Sequence, residues 1–321
     1  MSAAPTQRLA APAKLAVDVG GGLVLSNPVL TASGTYGLGY EFAALADLSR
    51  IGGVVGKTVT MTERIGNPPP RTFETASGLL NSIGLMNPGW EGFVRDTLPR
   101  VRELPCPFVL NVAGKSEDEF VELSRRAGEL TGFAALELNL SCPNVSGGLD
   151  FSANPVTAGR IVSRCREVAP MPIWAKLSPN VGELVPIARA CEDAGANAIS
   201  LVNTYLGTAI DWRRRRTVFA REVAGLSGPA IKPLALLAVL KVARAVKVPV
   251  VGIGGITSGS DALEFIAAGA TAVQVGTACF LGPDAPVRVA RELADLLAGE
   301  GIADVRDLIG CVARGAASAA R

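Results

Sequence analysis

The stretch NLSCPN, residues 139–144, sets Cys142 between two asparagines directly after the apolar run FAALEL. The chain contains no histidine. Ser-His and Cys-His nucleophiles are therefore excluded, and proton transfer must use Cys, Lys, Tyr, Asp or Glu side chains. An unperturbed thiol has a pKa of about 8.5, and a nearby lysine increases its thiolate fraction. Cys142 is therefore a candidate general base.

The other cysteines lack the spacing of a metal or redox site. None of them forms a CxxC pair or a zinc motif, and free cysteine is commonly a small buried hydrophobe. Reduced thiols in a chain without export features indicate the cytoplasm. We expect five structural cysteines: Cys106, Cys165, Cys191, Cys279 and Cys311.

Composition indicates a folded enzyme-sized chain. The 321 residues are 49% hydrophobic and 19% charged, which allows a large core. A net charge of +2 gives no reason to expect nucleic acid or an acidic membrane surface as a partner. The longest apolar stretches, such as PLALLAVL at 233–240, are too short to span a bilayer. The basic run Arg213–Arg216 is typical of solvated surface, and its role stays open.

Eight apolar, β-branched runs alternate with helical patterns along the chain. Continuous apolar runs indicate strands buried on both faces, as in a parallel sheet covered by helices. Eight units favour a (β/α)8 barrel, because the alternative doubly wound sheet normally has five or six. The predicted strands are 28–32, 52–56, 107–112, 134–140, 171–177, 196–202, 248–253 and 271–276. The predicted helices are 40–49, 90–103, 116–130, 155–168, 182–194, 232–246, 259–268 and 284–299.

The N-terminal segment adds a hairpin to this plan. LAVDV and LVLSNP flank the triplet GGG, which predicts two short strands around a glycine turn. Residues 1–14 are rich in Ala and Pro and predict a flexible N-terminus, so that residues 15–321 form one barrel domain.

Two connections are much longer than a single helix requires. One runs from Lys57 to about residue 107, and the other from Asn203 to about residue 231. Both follow the carboxyl end of a predicted strand, the face on which barrel enzymes build their sites. Long insertions there are usually functional, so we expect insertions over the barrel mouth.

Polar groups or glycines end all eight predicted strands. Asparagine offers both a donor and an acceptor and can pair with the amide edges of a uracil-like or flavin ring. A lysine there can stabilise negative charge on a reduced flavin or hold a carboxylate. The strand-end residues are Ser33, Lys57, Thr58, Asn111, Asn139, Lys176, Asn203, Thr204, Gly254, Gly255, Gly276 and Thr277.

The last two units predict a phosphate site. Strand seven ends in VVGIGGITSGSDA and strand eight in VQVGTACF. Glycines let a phosphate approach backbone N–H groups, and we expect the N-terminus of the helix after SGSD to contribute. Phosphate sites after strands seven and eight recur in this barrel. A phosphate-bearing ligand is expected.

Six motifs together resemble one family, the dihydroorotate dehydrogenases, over roughly residues 15–300. The resemblance implies a TIM barrel that binds FMN and oxidises (S)-dihydroorotate to orotate in pyrimidine (UMP) biosynthesis. The motifs are NSIGLMNPG (81–89), ELNLSCPNV (137–145), KLSPN (176–180), LVNT (201–204), LSGPAIKP (226–233) and VGIGGI (251–256).

The resemblance also implies roles for single residues. Cys142 would take the C5 proton, and the C6 hydride would pass to N5 of FMN. The implied substrate-binding residues are Lys57, Asn81, Ser82, Ile83, Gly84, Leu85, Asn139, Asn144, Asn203 and Thr204. The implied FMN-binding residues are Ser33, Lys57, Thr58, Asn111, Asn139, Lys176, Val202, Gly228, Gly254, Gly255, Gly276 and Thr277.

A cysteine base resembles class 1 of the family, and IGLMNPG and LSGPAIKP resemble the NAD-linked class 1B. That class implies a homodimer within a heterotetramer, whose second subunit carries FAD and a [2Fe–2S] cluster; the cysteines here lack cluster spacing. A fumarate-linked class 1A enzyme is the alternative within the family. A phosphate-sugar lyase or isomerase, or an inactive binding subunit, is the alternative outside it.

Overall fold

The computed structural model describes residues 12–141 and 151–312. The predicted flexible terminus therefore lies outside the described residues except for residues 12–14. Strands β1 (Val17–Asp18) and β2 (Val24–Leu25) form the predicted antiparallel hairpin. Its turn passes so close to Asn197 that a Cβ on Gly20 would lie 2.1 Å from the Asn197 carbonyl oxygen. The hairpin thus packs against the end of the molecule where the barrel strands begin.

The barrel and its insertions account for the other strands. In chain order they are β3 (Val29–Thr31), β4 (Val54–Val55), β5 (Thr72–Thr75), β6 (Gly78–Asn81), β7 (Phe108–Val112), β8 (Ala135–Asn139), β9 (Ile173–Lys176), β10 (Ala198–Leu201), β11 (Tyr205–Gly207), β12 (Ile210–Asp211), β13 (Arg216–Thr217), β14 (Ala224–Ser227), β15 (Val250–Ile253) and β16 (Ala272–Val275).

Eight of these strands form one parallel sheet in the order β3-β16-β15-β10-β9-β8-β7-β4. A parallel bridge between Leu30 and Gly53 joins the two end strands and closes the ring. All eight predicted strands are present in this barrel, in chain order around it. Each is buried along its whole length, as the continuous apolar runs predicted.

Helices cover the outside of the barrel. They are α1 (Gly89–Gly92), α2 (Leu98–Val101), α3 (Glu117–Gly128), α4 (Pro155–Val168), α5 (Val185–Asp193), α6 (Lys232–Ala243), α7 (Gly259–Ala268) and α8 (Ala285–Gly299), with one π-helical segment, Phe93–Thr97, between α1 and α2. No helix in residues 12–141 and 151–312 is long and apolar enough to cross a membrane.

The predicted helix over 40–49 is wrong. The segment instead contains two 3₁₀ turns, Tyr40–Phe42 and Leu48–Arg50. The Asp47 carboxylate accepts hydrogen bonds from both the N–H and the hydroxyl of Ser49. This local bonding starts a new turn at Asp47 and competes with a continuous helix.

The two long insertions meet over the barrel mouth, as predicted. They form one antiparallel sheet in the order β11-β14-β6-β5, so β6 of the first insertion pairs with β14 of the second. Leu80, Phe219 and Ala224 form a small separate core beneath it. The run Arg213–Arg216 lies at the exposed β12–β13 hairpin.

Candidate functional site

A cavity of about 710 Å³ lies between the carboxyl ends of the barrel strands and the insertion sheet. Its floor is built by residues at or just past the ends of β3, β4, β8, β9, β10, β15 and β16, and its roof by β6, β14 and the loop before β14. The backbone leaves each strand of the barrel at this face, and polar residues that favour turns follow the strands there. The cavity is therefore where the sequence predicted a site.

The structure brings most of the predicted site residues into this one cavity. Asn111 does not line it and is buried below, and Cys142 and Asn144 lie outside the described residues. The predicted residues that line it are Ser33, Lys57, Thr58, Asn81, Ser82, Ile83, Gly84, Leu85, Asn139, Lys176, Val202, Asn203, Thr204, Gly228, Gly254, Gly255, Gly276 and Thr277.

Three side chains just past β8 and β10 form a hydrogen-bonded cluster. The Ser141 hydroxyl donates to Oδ1 of Asn139, with 2.7 Å between the oxygens, and accepts from Nδ2 of Asn203. Oδ1 of Asn203 in turn accepts from the backbone N–H of Thr204 at 2.8 Å. The cluster orients both amides, since each has its oxygen engaged by a fixed donor.

A charged pair lies inside the barrel below these amides. Glu137 on β8 is fully buried, and Nζ of Lys176 on β9 lies 3.6 Å from its Oε1. Nδ2 of Asn111 donates to Oε1 at 2.6 Å, and Nε2 of Gln274 donates to Oε2 at 2.8 Å. Both carboxylate oxygens thus have donors, and the ammonium provides the counter-charge.

Lys57 enters the cavity from the end of β4. Its backbone N–H donates to the carbonyl oxygen of Gly37, and its Nζ lies 3.8 Å from the position that a Cβ on Gly34 would occupy. The hydroxyls of Ser33 and Thr58 lie 3.3 Å apart beside it. A cation therefore stands on the β3–β4 side of the cavity, opposite Lys176.

The turn after β6 offers backbone groups to the cavity. Gly84 and Leu85 both have positive φ, 73° and 57°, so this turn uses the left-handed region twice. Nδ2 of Asn87 donates to the Leu85 carbonyl oxygen at 2.7 Å. Asn67 packs behind Gly84 and donates from Nδ2 to the Ser82 hydroxyl at 3.0 Å. These bonds hold a strained turn in place.

Glycines shape the part of the cavity near β15 and β16. Gly228, Gly254 and Gly255 have φ of 94°, 135° and 72°, and a Cβ on Gly255 would lie 2.9 Å from the carbonyl oxygen of Gly228. The Thr277 hydroxyl donates to the Ser227 hydroxyl at 2.8 Å. Such close backbone approach suits a phosphate bound by N–H groups.

The N-terminus of α7 does not contribute to this part of the cavity, contrary to the prediction. Oδ2 of Asp261 accepts from the N–H groups of Thr257 and Ser258, and Glu292 accepts from that of Gly259. None of these residues lines the cavity. The sequence SGSD forms a capping box, which together with Glu292 of α8 satisfies the terminal donors of the helix.

Burial makes four of the other cysteines poor bases. It raises the pKa of Cys165 to about 11 and the pKa values of Cys106, Cys191 and Cys279 to about 12. These thiols stay protonated near neutral pH. Of the described residues, no group of His, Cys, Asp and Glu side chains is arranged to hold a metal ion.

Sequence reasoning missed several residues of the site. Glu137 carried a signal, since a charge inside an apolar strand two residues before Asn139 must share the face of Asn139. Ser141 lies within NLSCPN, next to Cys142, and its hydroxyl carries no separate sequence signal. Asn67, Asn87 and Ser227 form hydrogen bonds with residues distant in the chain, which no local pattern predicts.

Comparisons with known proteins agree with this geometry. The family model of dihydroorotate dehydrogenase matches residues 14–297. The chain is 50% identical over 299 residues, 93% of its length and 98% of the relative's, to the "Dihydroorotate dehydrogenase B (NAD(+)), catalytic subunit" of Trichlorobacter lovleyi. It is 50% identical over 292 residues, 91% of its length and 96% of the relative's, to the protein of the same name from Pelobacter propionicus.

A solved structure supports the fold. The dihydroorotate dehydrogenase of Eimeria tenella, in complex with ferulenol, superimposes with a TM-score of 0.77, covering 94% of this chain and 89% of that one. Its sequence identity of 24% restricts the likeness to the barrel itself. The family-model match and the relatives at half identity carry the assignment further: the chain belongs to the dihydroorotate dehydrogenase family.

Proposed function

We propose that this chain oxidises (S)-dihydroorotate to orotate with FMN, in pyrimidine biosynthesis, as the catalytic subunit of an NAD-linked enzyme. The convergence of Asn139, Asn203, Lys57 and Lys176 on one cavity carries the proposal. Amides and ammonium groups in this combination fit planar rings that bear carbonyl, N–H and carboxylate groups. The names of the relatives at 50% identity support the same reaction and the same electron acceptor.

The cavity fits FMN in its size and its donors. A volume of about 710 Å³ suits a small-molecule cofactor. The phosphate would be held by the closely approaching backbone of Gly228, Gly254, Gly255, Gly276 and Thr277. The ring would be held by Ser33, Lys57, Thr58, Asn111, Asn139, Lys176 and Val202. When bound, FMN supplies the acceptor for the hydride that leaves the substrate.

Oδ1 of Asn111 supports this assignment. It is a buried acceptor without a partner among the described residues, although Asn111 does not line the cavity in this structure. An N–H group above it would satisfy the acceptor, whose desolvation otherwise costs about 1–3 kcal/mol.

The substrate contacts lie on the roof side and on the amide cluster. Lys57 pairs with the substrate carboxylate. Asn81, Asn139, Asn144, Asn203 and Thr204, with the backbone of residues 82–85, bind its ring. These side chains would orient the substrate ring and exclude water from its reacting face.

Cys142 is the base. Its backbone follows directly from Ser141, which lines the cavity floor. The Cys142 thiolate takes the C5 proton, the hydrogen on C6 leaves with its electron pair, and the C5–C6 double bond forms. Lys176 would stabilise negative charge on the bound cofactor.

Electrons then leave through a partner subunit. The relatives' name, catalytic subunit, supports such a partner. We further propose that the partner carries FAD and a [2Fe–2S] cluster. We also propose that this chain forms a homodimer, that the two kinds of subunit form a heterotetramer, and that the assembly is cytoplasmic.

An anaerobic titration with dihydroorotate tests the activity. We expect the purified chain to be yellow, to bleach on dihydroorotate addition, and to keep its colour in the Cys142→Ala variant. Cys106→Ala is the matched control, since Cys106 lies before β7 at the opposite end of the barrel, and it should bleach normally. A colourless wild-type protein favours a phosphate-sugar lyase or isomerase, and a yellow protein that never bleaches favours an inactive binding subunit.

A second experiment tests the electron acceptor. Fumarate, quinone and NAD are added separately to the reduced chain, with and without the iron–sulfur partner. Efficient NAD reduction should require the partner. Rapid turnover with fumarate, or good NAD turnover by this chain alone, contradicts the NAD-linked class 1B assignment.

A further inference from the structure

We infer that Glu137 is a positioning residue: its buried carboxylate is the counter-charge that holds the Lys176 ammonium at the cavity floor without occupying its hydrogen-bond donors. The observation is a fully buried carboxylate whose Oε1 lies 3.6 Å from Nζ of Lys176. This distance is too long for a hydrogen bond but short enough for strong charge attraction in a buried site. The inference rests on the proposed function for the part that concerns FMN.

Two amides hold the carboxylate in place. Asn111 on β7 donates to Oε1 at 2.6 Å, and Gln274 on β16 donates to Oε2 at 2.8 Å. Strand β7 is the neighbour of β8, and β16 lies across the barrel from it. Because each oxygen already accepts a hydrogen bond from an amide, the carboxylate would have to break one of these bonds to rotate toward the ammonium and bind it directly.

Lys176 needs this counter-charge because it is itself almost enclosed. Its side chain is only 5% exposed, and burial disfavours an ammonium that has no opposite charge nearby. Lys176 nevertheless lines the cavity. The carboxylate thus supplies the counter-charge from 3.6 Å, without a hydrogen bond that would occupy the N–H donors of the ammonium.

A merely structural role would look different in a double-mutant cycle. If Glu137 only anchors Asn111 and Gln274, the costs of Glu137→Gln and Lys176→Met should add. If Glu137 is the counter-charge, each single variant strands one buried charge, whereas the double variant removes both. The sign of the Glu137→Gln effect then depends on whether Lys176 is present.

Thermal unfolding of the purified chain measures this cycle directly. We expect each single variant to lower Tm by roughly 5–10 °C and the double variant to unfold above either single one. The exposed pair Arg95–Asp96, at 72% and 59% exposure, is the matched control. There, Arg95→Met and Asp96→Asn should shift Tm by at most about 2 °C, and additively.

FMN affinity and flavin potential give the second readout. Glu137→Gln should weaken FMN binding by about tenfold or more in the wild-type background and should not weaken it in Lys176→Met. The midpoint potential should likewise respond to Glu137→Gln only when Lys176 is present. Additive Tm losses, or equal FMN losses in both backgrounds, overturn the inference.

These outcomes are separable from the proposed function. The unfolding cycle needs neither substrate nor turnover, so it tests the charge pair even if dihydroorotate fails to bleach the protein. Conversely, bleaching by dihydroorotate with an additive cycle would leave the proposed reaction intact and remove the role of Glu137.

Discussion

Asn203 donates a hydrogen bond from its Nδ2 to Oδ1 of Asn139, with 3.3 Å between the two atoms. The Ser141 hydroxyl bonds to both side chains. Oδ1 of Asn139 therefore faces two donors, and its Nδ2 is the atom left to donate elsewhere. The pair sets Asn139 as a donor to whatever ring carbonyl or carboxylate occupies the cavity.

Ser141→Ala should weaken orotate binding. The variant removes the shorter of the two hydrogen bonds that Oδ1 of Asn139 accepts. The amide is then held less firmly and can turn its oxygen toward the ligand. We expect a loss of about 5–30-fold in orotate affinity, the size of one or two hydrogen bonds. A titration of the flavin absorbance with orotate measures it.

Ser124→Ala is the control for Ser141→Ala. Ser124 is also buried, but its hydroxyl donates to the Phe120 carbonyl oxygen within α3, away from the cavity. It should leave the orotate dissociation constant within about twofold. Equal effects of the two variants would mean that Ser141 does not orient the amides.

Gly84→Ala should weaken substrate binding by the turn after β6. A Cβ there would lie 2.6 Å from Oδ1 and 2.8 Å from the backbone nitrogen of Asn67, so the turn must shift. We expect dihydroorotate KM to rise by about tenfold or more. Gly22→Ala has a similar positive φ of 82° but nothing within 4 Å, and it should cost about 1–2 kcal/mol of stability with KM unchanged. If both variants leave KM unchanged, the turn does not bind substrate.

The eight strands were predictable because a strand buried on both faces needs a continuous apolar run, and each run here is unmistakable. The roof was not, because β6 and β14 pair across 144 residues between Asn81 and Gly225 and no local pattern specifies that register. The sequence SGSD is compatible with an anion site and with a capping box at Ser258 and Asp261. Either one engages the terminal N–H groups, and only the structure shows which acceptor takes them.

Gly255→Ala should weaken FMN binding. A Cβ would lie 2.9 Å from the Gly228 carbonyl oxygen and 3.0 Å from the Lys232 nitrogen, and the displaced backbone would lose its phosphate contacts. We expect FMN affinity to fall by about tenfold or more, measured by fluorescence of released flavin. Gly301→Ala, with φ of 70° and nothing within 4 Å, shares the backbone strain and should retain FMN. Similar FMN losses in both would attribute the effect to strain alone.

The Asp261–Lys232 pair should make stability depend on pH in the acid range. Burial alone would raise the pKa of Asp261, but hydrogen bonds from Lys232, Thr257 and Ser258 lower it to about 2. The unfolded value is about 3.9, so the ionised carboxylate stabilises the fold above about pH 4, and this is lost as the pH falls toward 2. After solvent screening the contribution is about 1 kcal/mol.

Asp261→Asn should therefore unfold about 2 °C below wild type at pH 7, and the gap should close between about pH 4 and 2. Glu264→Gln, which removes only the second carboxylate on Lys232, is the control. A gap for Asp261→Asn that stays constant from pH 7 to 2 in thermal scans would contradict the assignment.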